Sequence, residues 1–379
     1  MANWSLVDRK MMTLALQLAE KGRYTTRPNP RVGCVITKDD EVIAQGYHQR
    51  AGQGHAEANA LTSLKEAGIS AEGATAYVTL EPCSHYGRTP PCAEGLINAK
   101  VARVVVAVLD PNPLVAGRGV NLLRDAGITV DVGLYEAQAF TLNRGFMKRM
   151  QHNLPWVTLK VASSLDGKTA LANGESKWIT GPMARQDVQR LRAQSCALIS
   201  GSNTVLIDNP TLNVRYSELG SVCEQLTETE THQPIRVILD THAKLRPDLK
   251  LFQSQSHIIL VSAAPYTDEV KQAFPDYVTC LDGELDELGR IKLAPVLVHL
   301  ANHYQCNSVL VEAGATLCGS FVDTKLADDL VLYQAPKILG SAGRNMLNLP
   351  NYTAMTDVPS MQLVDERNIG DDKRYIIEF

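Results

Sequence analysis

Short β-rich runs alternate with helical stretches twice over along this chain, with a break between the series at Gln151-His152-Asn153-Leu154-Pro155. Such alternation restricts the fold to α/β architectures, because each apolar run needs a helix to cover it. In the first series the runs are residues 32–37, 42–46, 75–80, 103–108 and 128–132. Lys38, Asp39 and Asp40 between the first two suit a hairpin, and helical stretches precede the last three. The order predicts a mixed sheet flanked by helices, closed by a polar helix over 136–150. At roughly 100–200 residues per domain, 379 residues make two domains, expected at 1–150 and 151–379.

The second series opens with 156–162, a run too apolar for a surface strand. It continues through 197–200, 235–240, 257–262 and 308–312 to a last strand at 375–379. Helical periodicity fits 182–194, 294–303 and 315–326. The stretch 216–234, with Glu218, Glu224, Glu228 and Glu230, has almost no periodicity and reads as a solvated surface loop. Near the N-terminus, the apolar run from Met11 to Ala19 is broken by Thr13 and Gln17 and is too short to span a bilayer. It reads as an amphipathic helix capped by Ser5 and Asp8, with Val7, Met11, Leu14 and Leu18 on one face and Gly22 as the stop.

Partners are narrowed by charge. The formal net charge is −4, and residues 1–150 carry +3 against −7 for 151–379. Neither value is large enough to name a partner, but the second half lacks the basic footprint of a polynucleotide binder, and no segment asks for a membrane. Eight unevenly spaced cysteines are too few for a disulfide scaffold and suit a reducing compartment, so the expected location is cytoplasmic.

Chemistry enters at His55-Ala56-Glu57, which opens a helical pattern after Ala51-Gly52-Gln53-Gly54. The run 75–80 leads into Glu81-Pro82-Cys83, and Cys92 follows after eight intervening residues at the head of another helix. One imidazole and two thiolates are what a catalytic Zn²⁺ takes when its fourth tetrahedral position is left for water. Helix N-termini lower thiol pKa values, which favours both cysteines as ligands. Zinc brings the pKa of its water to near neutrality, and Glu57, two residues from the histidine, can shuttle the proton without being a ligand. The outcome is hydrolytic deamination. H-x-E followed by P-C-x-x-C is the zinc deaminase signature, and only the wider cysteine spacing departs from it. His85 in the same loop is the lesser candidate ligand, because His55 already supplies the nitrogen, and Arg88 is the better second contributor, as a binder of a phosphate group.

The run from Thr79 to Cys92, with Pro28-Asn29-Pro30-Arg31-Val32-Gly33 and Asp110-Pro111-Asn112-Pro113, resembles the deaminase domain of the bacterial bifunctional riboflavin biosynthesis family. The resemblance implies a three-layer α/β/α, cytidine-deaminase-like domain that removes the 2-amino group of a diaminopyrimidinone ribotide. It puts Zn²⁺ on His55, Cys83 and Cys92, with Glu57 as proton shuttle.

The second half has no zinc spacing and no G-x-G-x-x-G after a strand. On physics alone, the strand at 308–312 followed by Gly314 and a helix would suit a phosphate. Residues 160–168, 175–181, 191–193, 208–215 and 311–314 resemble the reductase half of the same family. That implies a dihydrofolate-reductase-like α/β domain using NADPH to reduce the ribosyl group to a ribityl chain. Carried over, the cofactor contacts Ala162, Trp178, Thr204, Asp208 and the turn Gly314, Ala315, Thr316, Leu317, Cys318, Gly319 and Ser320. The substrate contacts Ser176, Arg192, Leu212, Arg215 and Glu312, with the two arginines clamping its phosphate. Lys160 and Asp166 read equally as proton-relay groups and as a strand-end salt bridge and a turn aspartate.

The expected protein is thus a cytoplasmic deaminase and reductase in one chain, acting on a small pyrimidine ribotide as a homo-oligomer. A polynucleotide-editing deaminase lacks the basic, aromatic-rich surface it needs, since aromatics are only 6% of the chain. A non-enzyme with structural zinc would bind metal and release no ammonia.

Overall fold

The computed structural model describes residues 4–84, 90–112 and 116–379. They divide into two compact units, Met1–Asn153 and Leu154–Phe379. In the first, the elements are α1 (Leu6–Glu20), β1 (Gly33–Lys38), β2 (Glu41–Tyr47), α2 (Ala56–Ala67), β3 (Thr75–Val78), α3 (Cys92–Asn98), β4 (Arg103–Val106), α4 (Arg118–Asp125), β5 (Thr129–Val132), α5 (Glu136–Leu142) and α6 (Arg144–His152). The sheet runs β2-β1-β3-β4-β5, with β1 antiparallel to both β2 and β3 and the remaining pairs parallel. Alternation along the strands sorts side chains to two faces. Cys34, Ile36, Ala76, Val78, Val104 and Val106 join one buried cluster with residues of α2, α3 and α4. Val35, Tyr77 and Val105 join a second with α1 and with Phe146 and Met147 of α6. Those two cores, one on each side of the sheet, make three layers.

Helix α1 has the expected cap: Asp8 N–H donates to Ser5 Oγ at 3.0 Å, and Ser5 N–H to Asp8 Oδ2 at 3.0 Å. Its buried face is Asp8, Met11, Met12, Ala15, Leu18 and Ala19, so Val7 and Leu14 sit at the margin rather than the centre. The polar helix expected over 136–150 is two helices, and α6 continues to His152 before Asn153 turns left-handed at its C-cap.

The second unit contains β6 (Trp156–Ser164), β7 (Lys168–Ala170), α7 (Pro182–Gln194), β8 (Ala197–Gly201), α8 (Ser202–Asp208), β9 (Ile235–Leu239), β10 (Ile258–Ser262), α9 (Asp268–Ala273), β11 (Val278–Asp282), α10 (Leu293–His303), β12 (Ser308–Val311), α11 (Ala315–Asp323), β13 (Asp329–Ala335), β14 (Arg344–Asn345), β15 (Gln362–Ile369) and β16 (Asp372–Glu378). Its sheet is ordered β11-β10-β9-β8-β12-β6-β13-β16-β15. The first seven strands of that order are parallel, and β16 and β15 add antiparallel at the end. Strands β7 and β14 form a separate two-stranded ribbon. The stretch 216–234 is more than a solvated loop: Leu219, Val222 and Leu226 are buried, and Tyr216 Oη–H donates to Leu226 O at 2.8 Å.

Candidate functional site

In the first unit, His55 is the N-cap of α2, Cys83 follows β3, and Cys92 is the first residue of α3. Their ligand atoms lie within 4.8 Å of one another. His55 Nδ1 is 3.5 Å from Cys83 Sγ and 3.3 Å from Cys92 Sγ. A tetrahedral zinc with ordinary Zn–S and Zn–N bonds needs an S···N edge of roughly 3.6 Å, so the donor set and its spacing fit that ion. The head of α3 holds Cys83 directly, since Cys92 N–H donates to its sulfur at 3.3 Å and Ala93 N–H to its carbonyl at 3.2 Å. The Cys83 thiol is pulled down to about 4, first by its hydrogen bond with Cys92 and further by His55. Cys92 moves the other way, pushed up by the same contact, by burial and by Glu57. Two touching thiols share one proton, so the helix N-terminus favours one thiolate rather than both; a divalent cation is what releases the second.

Glu57, in the first turn of α2, is 3% exposed and meets the Cys92 thiol. Burial, then the nearby Cys83 thiolate, pushes its carboxyl up to about 7. A carboxyl poised there can both accept and donate a proton at neutral pH.

Backbone proximity fixes this helix. A Cβ on Gly46 of β2 would stand 2.3 Å from Ala56 O and 2.6 Å from Ala60 N, so only glycine lets α2 lie this close. The cysteine loop is fixed by Glu81. Its buried carboxylate accepts from the N–H groups of Asp110 (3.2 Å), Gly117 (2.9 Å), Gly119 (2.9 Å) and Val120 (3.2 Å), tying the residue two before Cys83 to the start of α4. Sequence reasoning missed that role, and also His48. The His48 ring stands edge-on to His55, with centroids 5.5 Å apart. Gly54 O can only accept, so His48 Nδ1 carries the proton, and Nε2 accepts from Asn29 Nδ2 at 3.1 Å. Burial holds His48 below the usual imidazole range, hence neutral. A lone histidine at a strand end gave no signal of this. Arg88 and His85 lie outside the described residues.

The second unit holds a cleft of about 1450 Å³ at the carboxyl ends of its parallel strands, lined in part by Gly201 at the end of β8, Thr241 after β9 and Glu312 after β12. Ligands bind open α/β sheets at such ends. The volume of this cleft exceeds the roughly 300–1,000 Å³ of ordinary single-ligand sites. Ala162, Trp178, Thr204, Asp208, Gly314, Ala315, Thr316, Leu317 and Ser320 all line it, as do Ser176, Arg192, Leu212 and Glu312. Three of the expected residues stand elsewhere. Cys318 is fully buried with its thiol on Ala313 O, Gly319 packs where a Cβ would be 2.0 Å from Asn348 O, and Arg215 pairs with Glu218.

Arg192 is bidentate to Glu312, at 2.6 and 2.9 Å, and donates to Asn213 O at 2.9 Å. Burial pushes the Glu312 carboxyl up, but Arg192, Lys160 and Arg215 together hold it below the usual range. Lys160, also on the cleft wall, is pulled down by burial against the opposing pull of Glu312. Trp178 has a φ of 66° and carries the Arg185 guanidinium 4.1 Å from its ring centroid. Asp166 accepts from Ser164 Oγ and from the N–H groups of Leu339 and Gly340, the bonding of a turn aspartate. Among the described residues no helix is long and apolar enough to cross a membrane.

Residues 6–108 match the family model of the cytidine and deoxycytidylate deaminase zinc-binding region, and residues 155–373 match that of the RibD C-terminal domain. The chain is 49% identical over 373 residues to the riboflavin biosynthesis protein RibD of Haemophilus influenzae, covering 98% of this chain and 97% of that one. Against the Escherichia coli protein of the same description it is 47% identical over 367 residues, 96% of this chain and 97% of the other. It is similar to the solved structure of Acinetobacter baumannii RibD, with a TM-score of 0.88, 45% identity and 98% of each chain covered. A Thermotoga maritima structure, described as a diaminohydroxyphosphoribosylaminopyrimidine deaminase/5-amino-6-(5-phosphoribosylamino)uracil reductase, gives 0.85 at 32% identity, again over 98% of each chain.

Proposed function

The chain belongs to the RibD family of bifunctional riboflavin-biosynthesis deaminase/reductases, and from that membership we propose the chemistry of its two halves. The first unit deaminates 2,5-diamino-6-(5-phosphoribosylamino)pyrimidin-4(3H)-one hydrolytically. The second uses NADPH to reduce the ribosyl group of the product, 5-amino-6-(5-phosphoribosylamino)uracil, to a ribityl chain. What carries the first assignment is the convergence of His55, Cys83 and Cys92 with the buried carboxyl of Glu57 beside them.

Bound zinc supplies Lewis acidity that makes a water acidic near neutral pH. Glu57 takes the proton as that water's oxygen bonds to C2 of the ring. It passes that proton to the ring nitrogen that receives the electron pair of the C2=N bond, then carries the remaining hydroxyl proton to the 2-amino nitrogen, which leaves as ammonia as the C2 carbonyl forms. His48, fixed neutral, offers no competing charge. In the cleft, Ala162, Trp178, Thr204, Asp208 and the turn Gly314 to Ser320 would hold NADPH, the first N–H groups of α11 having no intrahelical partner. Gly319 and Cys318 act behind that turn, by packing. The ribotide lies against Ser176, Arg192, Leu212 and Glu312, with Arg215 adding positive charge that Glu312 feels. Bound NADPH would supply the two-electron reducing equivalent; Lys160, buried on the wall and pulled down by that burial, is the group able to give the accompanying proton, with the Glu312 carboxylate as its counter-charge.

A cytoplasmic location rests on the eight free cysteines. A homo-oligomer is supported by the open edge at β15, where Leu363 and Val364 are about half exposed. Glu57→Gln tests the mechanism. Ammonia release falls by about 10²–10⁴-fold, while zinc content and NADPH oxidation on pre-deaminated ribotide are unchanged. Retained ammonia release removes Glu57 from the reaction.

A further inference from the structure

Arg236 of β9 is 0% exposed, and among the described residues no carboxylate pairs with it. A guanidinium taken out of water is tolerated only if its N–H groups find acceptors. Here they find four backbone carbonyls on two separate segments. Nη1 donates to Thr211 O at 2.9 Å and to Leu251 O; Nη2 donates to Ser254 O at 2.6 Å and Ser256 O at 2.9 Å. Nε alone lacks a partner.

The Thr211 carbonyl belongs to the segment 208–213, from which Asp208, Pro210 and Leu212 line the cleft. In that segment Asn209 (φ 43°) is the left-handed C-cap of α8, and Leu212 (φ 53°) holds left-handed backbone that a bulky side chain adopts only where its surroundings force it. Arg236 is one of those constraints. A second is parallel to it: Lys250 N–H donates to Asn209 Oδ1 at 2.9 Å, joining the same two segments.

We propose that Arg236 is a positioning residue of the reductase cleft, acting through the Thr211 carbonyl to clamp 208–213 onto 250–256 so that Asp208 and Leu212 meet their ligands in one fixed arrangement. The inference rests on the reductase reading of the cleft. Only the planar fork of arginine reaches both segments at once; lysine keeps the charge but cannot span them.

The full-length protein decides it, with Arg236→Lys and, in case that variant fails to fold, Asn209→Ala, which removes the parallel link to Lys250. NADPH oxidation on deaminated ribotide, ammonia release and amide exchange over 208–213 are measured together. The KM for NADPH or for ribotide is expected to rise about tenfold in Arg236→Lys and severalfold in Asn209→Ala. In both, kcat stays within about twofold, exchange over 208–213 accelerates selectively, and ammonia release is unaltered. Unchanged KM values, or a fall in kcat alone that tracks a misfolded fraction, overturn the proposal. Wild-type protein that oxidises no NADPH overturns the reductase reading itself, and this inference falls with it.

Discussion

Asp8 shows where a residue's local role is legible and its larger role is not. Its pairing with Ser5 follows from a spacing of three at a helix start. Its other partners are far off in sequence: Arg103 Nη1 of β4 donates to Oδ1 at 2.6 Å, and Tyr77 Oη–H of β3 donates to the same oxygen at 3.0 Å. No periodicity announces a contact across 95 residues. The metal site divides the same way. His55, Glu57, Cys83 and Cys92 are readable because ligand chemistry dictates residue type and spacing. Glu81 and His48 are not, because each works through backbone groups brought in by folding. Asp8 also makes a pH prediction. Burial pushes its carboxyl up, but Arg103, Ser5 and Tyr77 outweigh that and hold it at about 2, below its ordinary 3.8. A depressed carboxylate stabilises the fold fully above its unfolded pKa and loses that contribution as pH falls through the folded one. Asp8→Asn is therefore expected to cost the first unit about 2 kcal/mol at pH 7 and progressively less from pH 4 down to pH 2. Urea unfolding at both ends of that range checks it, and an equal cost at each would show that charge is not the cause.

Elements were legible where burial imposes a period. Helix α7 has the bounds that its apolar spacing predicts, and β1 to β5 sit within two residues of the expected runs at each end. Strands β7, β11, β13, β14 and β15 were not foreseen. Strand β13 is buried on both faces, so Leu330-Val331-Leu332-Tyr333 is a short continuous run with no alternation to separate strand from helix. The edge strand β15 has the opposite difficulty, being mostly exposed, with Asp365, Glu366 and Arg367 at its centre and no apolar face to detect. Contact between elements is less visible still, as α2 on β2 shows. Gly46→Ala puts a methyl into backbone atoms of α2 and is expected to destabilise the first unit by about 1–3 kcal/mol. Because His55 and Glu57 ride on that helix, zinc affinity and ammonia release should fall together. Gly95→Ala in α3 is the matched control: its added methyl would meet only Leu61 Cδ1, at an ordinary 3.5 Å. Helix propensity alone then makes it neutral or slightly stabilising. Equal damage from both would remove close packing at Gly46 as the reason.

At the scale of the whole molecule, length gave two domains and alternation gave their class, but strand order had no local trace. Strand β6, the first of its unit, lies between β12 and β13, pairings that join residues roughly 150 or more positions apart and are specified by burial of the finished sheet. The buried clusters described for each unit draw on that unit's own residues. Metal ligands likewise come from one unit and the cleft lining from the other. Two sites built from separate residues should respond separately to loss of zinc. Chelation is expected to abolish ammonia release from the diaminopyrimidinone ribotide and, with it, any NADPH oxidation begun from that compound. Supplied instead with the deaminated ribotide, the same chelated protein should oxidise NADPH at the untreated rate, because none of the three metal-ligand residues lines the cleft. Restoring zinc should return ammonia release, with NADPH oxidation following after a lag while the deaminated ribotide accumulates. Loss of both reactions on chelation, with the deaminated ribotide present, would mean that the metal supports the cleft as well, and the division of chemistry between the units would have to be redrawn.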